Sequence, residues 1–149
     1  MTDALALTQR SLTAMIAPAA RAYRKHIDKA FTGLGLSHSL ALPVMLLGRL
    51  GDGVRQNALA EELGVEPPSL VPLLDQLERA GLVERRPCLE DKRAKTLRLT
   101  PAGHDLAHRA EALAQAVRAA LLKDVPPGEV AIAARVLERF HAAIRAAEA

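Results

Sequence analysis

Between Gln56 and Thr100 the apolar residues change their spacing, and this limits the folds open to the chain more than any other feature. Before Gly81 they recur at three- and four-residue steps, as in helices. Beyond it Thr96-Leu97-Arg98-Leu99-Thr100 alternates strictly, as in a half-buried strand. The helical part predicts two short units, Gln56 to Leu63 and about Pro68 to Ala80, separated by Gly64-Val65-Glu66 and closed by Gly81. This is helix-turn-helix spacing. In the second unit Leu70, Leu74 and Leu77 form an inward stripe, leaving Ser69, Pro72, Leu73, Gln76 and Arg79 on other faces. The alternating part predicts a two-stranded hairpin with its tip at Arg86 to Lys95.

Longer helices flank this body. Leu12, Ile16, Ala19, Tyr23, Ile27 and Ala30 share one helical face, interrupted by Pro18, which predicts either a kink or a short helix followed by a second. Gly33 and Gly35 end the segment, and Ser37 is an N-cap for a helix reaching about Leu50, followed by a turn at Gly51-Asp52-Gly53. Thr100-Pro101 pairs an N-cap with proline at the first helical position. The helix it opens carries Leu106, Ala110, Leu113, Val117 and Leu121 on one face and ends at Val125-Pro126-Pro127-Gly128. A last helix, to about Ala146, aligns Val130, Ala133, Leu137, Phe140 and Ile144. Alanine, 29 of 149 residues, favours all of them. The small helix-turn-helix body cannot cover so much apolar stripe, so the expected cover is a second copy of the chain.

The expected fold is therefore mainly α with a small β-hairpin wing, a winged helix-turn-helix with long N- and C-terminal dimerisation helices. It forms one domain over 1–149, with a winged-helix lobe at about 37–100 and dimerisation helices at about 5–32 and 101–146.

Net charge is +3, but residues 79–98 hold seven basic against three acidic side chains, or +4, leaving −1 for the rest. A cationic hairpin on a near-neutral body suits a polyanion, and with a helix-turn-helix the expected partner is double-stranded DNA. An acid at a DNA-facing tip is repulsive unless it has another task. Asp91, two residues from Arg93, is expected to pair with that guanidinium and aim it at a narrow minor groove. The absence of Trp, with two Phe and one Tyr, excludes a single-strand binder built on stacked aromatics. One cysteine, Cys88, excludes an intramolecular disulfide and fits a reducing cytoplasm. The start carries no secretion signal, and the longest uncharged stretch, Ala30 to Gly48, is broken by Gly33, Gly35 and Pro43, so no membrane span is expected. No phosphate-binding loop, metalloprotease or nucleophile-elbow motif is present, and neither an enzyme nor a cofactor is expected.

Leu59-Ala60-Glu61-Glu62-Leu63-Gly64-Val65-Glu66, Pro68-Ser69-Leu70-Val71, Leu74-Asp75-Gln76-Leu77-Glu78, Gly81-Leu82-Val83 and Asp91-Lys92-Arg93-Ala94-Lys95 through Leu99-Thr100 resemble the MarR family of winged-helix regulators, and its SlyA-type branch in particular. The resemblance is dense from about 56 to 103. It implies a cytoplasmic, nucleoid-associated homodimeric transcription factor on inverted-repeat operators, released by a small aromatic or phenolic anion. Together with the outer face of the reading helix and the basic wing, it gives the expected DNA-binding set of Pro68, Ser69, Pro72, Gln76, Arg85, Arg86, Asp91, Lys92, Arg93 and Lys95. In that set Arg93 is the minor-groove arginine and Asp91 its orienting partner, while Arg85 stands near both operator and ligand. Pro72 departs from the branch, where an arginine is usual, and suggests that the reading helix starts late, near Ser69.

Ala41 stands where the branch usually has tryptophan, so Tyr23, His38, Met45 and Arg49 are the expected ligand lining. His104 and His108, four apart on one helix, offer two metal ligands without a third, and no metal site is assigned. Cys88 among Arg85, Arg86, Lys92 and Arg93 is set for a lowered thiol pKa. The alternatives are a metal- or oxidant-responsive regulator of the same fold, or a winged-helix protein-interaction module that binds no DNA.

Overall fold

The structure is a computed structural model that describes residues 2–33 and 37–149, with the backbone alone for Thr2 and His38. Its elements in order are α1 (Thr2–Gly33), α2 (His38–Leu50), β1 (Val54–Arg55), α3 (Gln56–Leu63), α4 (Pro67–Arg79), β2 (Val83–Pro87), β3 (Lys95–Leu99), α5 (Pro101–Leu121) and α6 (Pro127–Glu148). The fold is mainly helical with a small antiparallel sheet, as the spacing predicts. The chain divides into two compact units, Met1–Gln115 and Ala116–Ala149.

The first unit has two cores that share α2 as a wall. Val44 and Leu47 of α2 meet Leu59 and Ala60 of α3, the α4 leucines, Val83, Leu97 and Leu99 of the sheet, and Leu106 and Ala107 of α5. Ala41 and Met45, on the adjoining face of α2, pack with Ile27 and Phe31 of α1 and with Ala110 and Ala114 of α5. Burial of Leu70, Leu74 and Leu77 contributes about 2 kcal/mol each. Leu73, expected on an outer face, is partly buried against the same core.

The sheet has strand order β1-β3-β2, antiparallel throughout, with Val83 opposite Leu99, Arg85 opposite Leu97 and Arg55 opposite Thr96. The edge strand β1 is an addition to the expected hairpin. It is two residues long, too short for any period to show. Its entry needs a backbone that only glycine adopts at little cost: Gly53 has φ 82 and donates its N–H to the Leu97 carbonyl at 3.0 Å.

Thr100 behaves as the sequence predicts and does one thing more. Its hydroxyl accepts the Gly103 N–H at 3.0 Å, capping α5, and donates to the Gly81 carbonyl at 2.6 Å. The start of α5 is thereby joined to the residue that ends the α4 segment. Leu82 reinforces the junction, its carbonyl accepting the Thr100 N–H at 3.1 Å.

The helix α1 runs unbroken through Pro18, so of the two alternatives for this segment the separate helices do not occur. Of its expected stripe only Ile27 is buried; Leu12, Ala19 and Tyr23 are exposed in the protomer, and Phe31 rather than Ala30 completes the inner contact. Gly35, expected to help end this helix, lies outside the described residues. In the second unit α6 buries none of its residues, and Ile132, Leu137, Phe140 and Ile144 all face solvent in the protomer. Among the described residues no helix is long and apolar enough to cross a membrane.

Candidate nucleic-acid interface

The α4 helix is held by its buried leucines, so Ser69, Pro72, Gln76 and Arg79 stand on its exposed side. It begins earlier than Pro72 suggests. Glu66 is the N-cap in extended conformation, Pro67 and Pro68 fill the first helical positions where a missing amide costs nothing, and Pro72 lies inside the helix. Pro72 removes the bond that would end on the Pro68 carbonyl, and both residues lie on the exposed face, where a missing helical bond costs least.

The wing tip is a closed turn. Cys88 donates its N–H to the Ala94 carbonyl and Ala94 its N–H to the Asp91 carbonyl, each at 3.0 Å. The Asp91 carboxylate accepts the backbone N–H of Arg93 at 3.0 Å, which corrects the expected pairing with the guanidinium. At a separation of two residues a short carboxylate reaches the amide of its own turn more readily than a long side chain's end. Asp91 therefore fixes the backbone from which Arg93 departs.

Arg85 is the larger difference. Strand alternation puts it on the same face as buried Val83, towards α4. Its side chain is 19% exposed, and its guanidinium donates to Glu78 Oε2 (2.9 Å from Nε, 2.6 Å from Nη2) and to Asp75 Oδ1, while its backbone N–H donates to Glu78 Oε1 at 3.2 Å. The wing is thus clamped to the back of the reading helix by one arginine and two carboxylates.

The side-chain bonds from Arg85, and next its backbone N–H, hold the Glu78 carboxyl below its ordinary value of 4.5. The Glu78 and then the Asp75 carboxylates raise Arg85. Since the depression exists only in the folded chain, its stabilisation is complete above the ordinary value and is lost as pH falls through the lower, folded value. Glu78→Gln is expected to lower stability near neutrality and to reduce the loss seen on acidification below about pH 4. Urea unfolding at neutral and acidic pH measures both; equal acid losses in the two proteins would contradict the clamp.

Between α4 and the wing lies a cleft of about 430 Å³, lined by Arg55, Gln56, Asn57, Val71, Arg85, Asp91, Arg93, Ala94 and Lys95. With Arg85 committed to Glu78 and Asp75, the cleft offers Arg93, Lys95 and Arg55, the last in an exposed pair with Glu90 at 3.8 Å, against Asp91. The helical start of α3 opens onto it. Arg55 is the residue that sequence reasoning missed, because only the β1–β3 pairing brings it beside the wing. Arg86 is exposed and pairs with Glu84 at 3.0 Å; Lys92 is exposed at the tip.

The other expected sites are only partly assembled. Met45 and Arg49 line a recess of about 200 Å³ with Gly48, His104, Ala107, His108 and Glu111, smaller than most small-molecule sites. Arg49 donates to Glu111 Oε2 at 2.9 and 2.6 Å. Tyr23 is not among the residues lining this recess, and the His38 side chain lies outside the described residues. His104 Nε2 stands 4.0 Å from Asp52 Oδ1, and among the described residues no group of three or more His, Cys, Asp or Glu is arranged to hold a metal. The Cys88 thiol is held below its ordinary value, first by the backbone amides of Asp91 and Glu90 and less by Arg55, so the turn rather than the expected basic cluster sets it.

Residues 36–95 match the model of the MarR family. Over its length the chain is similar to the transcriptional regulator PA3341, with 38% identity, a TM-score of 0.81, and coverage of 89% of this chain and 97% of that one. It is also similar to CouR from Rhodococcus jostii RHA1 bound to p-coumaroyl-CoA, at 26% identity and TM-score 0.72 over 85% and 88% of the two chains. A mutant MarR from E. coli, complexed with operator DNA, shares the fold at 24% identity and TM-score 0.74 over 87% and 93%.

Proposed function

This chain belongs to the MarR family of transcriptional regulators, and on that premise we propose that it acts as a homodimer on a palindromic operator, with one α4 helix in each of two major grooves about 10 bp apart. The observation that carries this reading is the cationic cleft between α4 and the wing. A winged helix straddles the phosphate ridge that divides major from minor groove, and Arg55, Arg93 and Lys95 line the space such a ridge would occupy. Ser69, Pro72 and Gln76 on α4, with Pro68 at its start, meet base edges and the adjoining backbone. Arg86 and Lys92 meet the flanking backbone, and the Asp91-fixed Arg93 meets the ridge at the edge of the minor groove. Arg85 acts through the clamp, setting the wing's position rather than touching DNA. A second copy covers the apolar side chains that α1 and α6 leave exposed, among them Leu12, Ile132, Leu137 and Phe140.

The Pro68-Ser69-Leu70-Val71 and Leu74-Asp75-Gln76-Leu77-Glu78 segments support placement in the SlyA-type branch, and a cytoplasmic, nucleoid-associated location follows from duplex binding. Regulation by a small aromatic or phenolic anion draws support from CouR, bound to p-coumaroyl-CoA. Such an anion near Met45 and Arg49 changes the spacing of the two reading heads. The test is selection from random duplexes followed by salt titration. A palindromic product whose affinity falls steeply with salt, by a logarithmic slope of about −0.9 for each phosphate contact, supports the reading. No duplex binding at low salt would leave a protein-interaction module.

A further inference from the structure

Leu89 is fully exposed, at 101%, the highest value of any large apolar side chain among the described residues. It is not on a loose tail. It sits in the wing turn closed by the Cys88–Ala94 and Ala94–Asp91 bonds, so the fold holds its Cα in place and covers none of its side chain. Arg86 precedes it, Glu90 and Asp91 follow directly, and Lys92 and Arg93 come next; Asp91 is engaged by the Arg93 N–H and Glu90 stands 3.8 Å from Arg55. A partner approaching Leu89 therefore meets a turn whose cations outnumber its carboxylates, and must offer C–H surface. The minor groove of a duplex has both properties: deep negative potential between its phosphate rows, and walls of deoxyribose.

We propose that Leu89 is an apolar minor-groove contact, packing against the sugar wall while Arg93 engages the phosphate ridge. The inference rests on the duplex-binding reading above. Arg93 lines the cleft with Val71 and Lys95, whereas Leu89 lines an adjoining hollow with Arg86, Cys88, Glu90 and Thr96, and Arg55 stands between the two, lining both. With the ridge in the first, Leu89 is left to the groove beyond it. The contact reads width and shape rather than hydrogen-bonding pattern, since an alkyl group has no donor or acceptor to match to a base.

An apolar contact releases no counterions, and this separates it from every neighbouring charge. On a selected operator duplex followed by fluorescence anisotropy across a salt series, Leu89→Ala is expected to bind about ten-fold more weakly at every salt concentration, with an unchanged slope. Arg93→Ala loses affinity and also loses about 0.9 from the slope's magnitude. Leu89→Lys steepens the slope yet binds more weakly than wild type at high salt, where the charge no longer compensates for the lost packing. Thermal melting of Leu89→Ala matches wild type, because the side chain is uncovered in the fold. Leu89→Ala binding like wild type, or Leu89→Lys binding more tightly throughout, overturns the proposal, and an acidic protein partner is then the remaining occupant. Wild type binding no duplex at any salt would remove the regulator reading, and this inference with it.

Discussion

Gly103→Ala is expected to destabilise the protein by about 3 kcal/mol or more, the largest effect of an added methyl group at any described glycine. A Cβ at this position would stand 2.1 Å from the Leu82 carbonyl oxygen, 3.1 Å from its carbon and 3.2 Å from Leu99 Cδ2. The first two atoms are backbone and cannot rotate away. The carbonyl is further held by the Thr100 N–H, in the segment whose hydroxyl caps α5, so relief would require the first turn of α5 to lift off the end of the α4 segment. Urea unfolding measures the loss. Gly128→Ala is the control: it lies in the first turn of α6, its Cβ would meet nothing within 4 Å, and its expected effect is neutral to slightly stabilising. Equal midpoints for Gly103→Ala and wild type would show that the close approach is absent in solution.

Removing Arg55, Arg93 and Lys95 together, each to Ala, is expected to reduce the magnitude of the salt slope by up to about 2.7 and to weaken duplex binding at least a hundred-fold near 0.15 M salt. The argument is one of location. These three cations line a single cleft beside α4, so a phosphate row lying there meets all of them. Arg85 lines the same cleft but is left out of the variant, because its removal would strand the Asp75 and Glu78 carboxylates and confound binding with stability. An equal loss of charge at Arg10, Arg109 and Lys123 should leave the slope nearly unchanged. If both triple variants fall together, net charge and not the cleft attracts the duplex.

Much of the reading head was legible because its boundaries rest on local chemistry. Gly64 and Gly81 end helices where left-handed backbone is needed, and Thr100-Pro101 starts one, so α3, α4 and α5 fall almost where the residues predict. The errors arise where tertiary partners override local preference. A two-residue strand has no pattern, and β1 exists only because β3 lies beside it. Pro72 reads locally as a helix start, yet Pro67 and Pro68 had already supplied one. Pro18 leaves a kink and a break both open from the residues alone, and the helix continues through it. Arg85 reads as one more wing cation. Its role as a brace follows from strand alternation together with the position of two carboxylates on α4, and that position is not written in the strand. The ligand quartet was the least legible, since a recess between helices depends on how closely alanines let them approach.

The double use of the Thr100 hydroxyl has a mechanical consequence. One oxygen ties the Gly81 carbonyl, just beyond α4, to the Gly103 amide in the first turn of α5, so a pivot at this junction strains these two bonds. A rotation of α5 is therefore expected to carry the end of the α4 segment with it, as a crank turns its shaft, the junction resisting a hinge at this point.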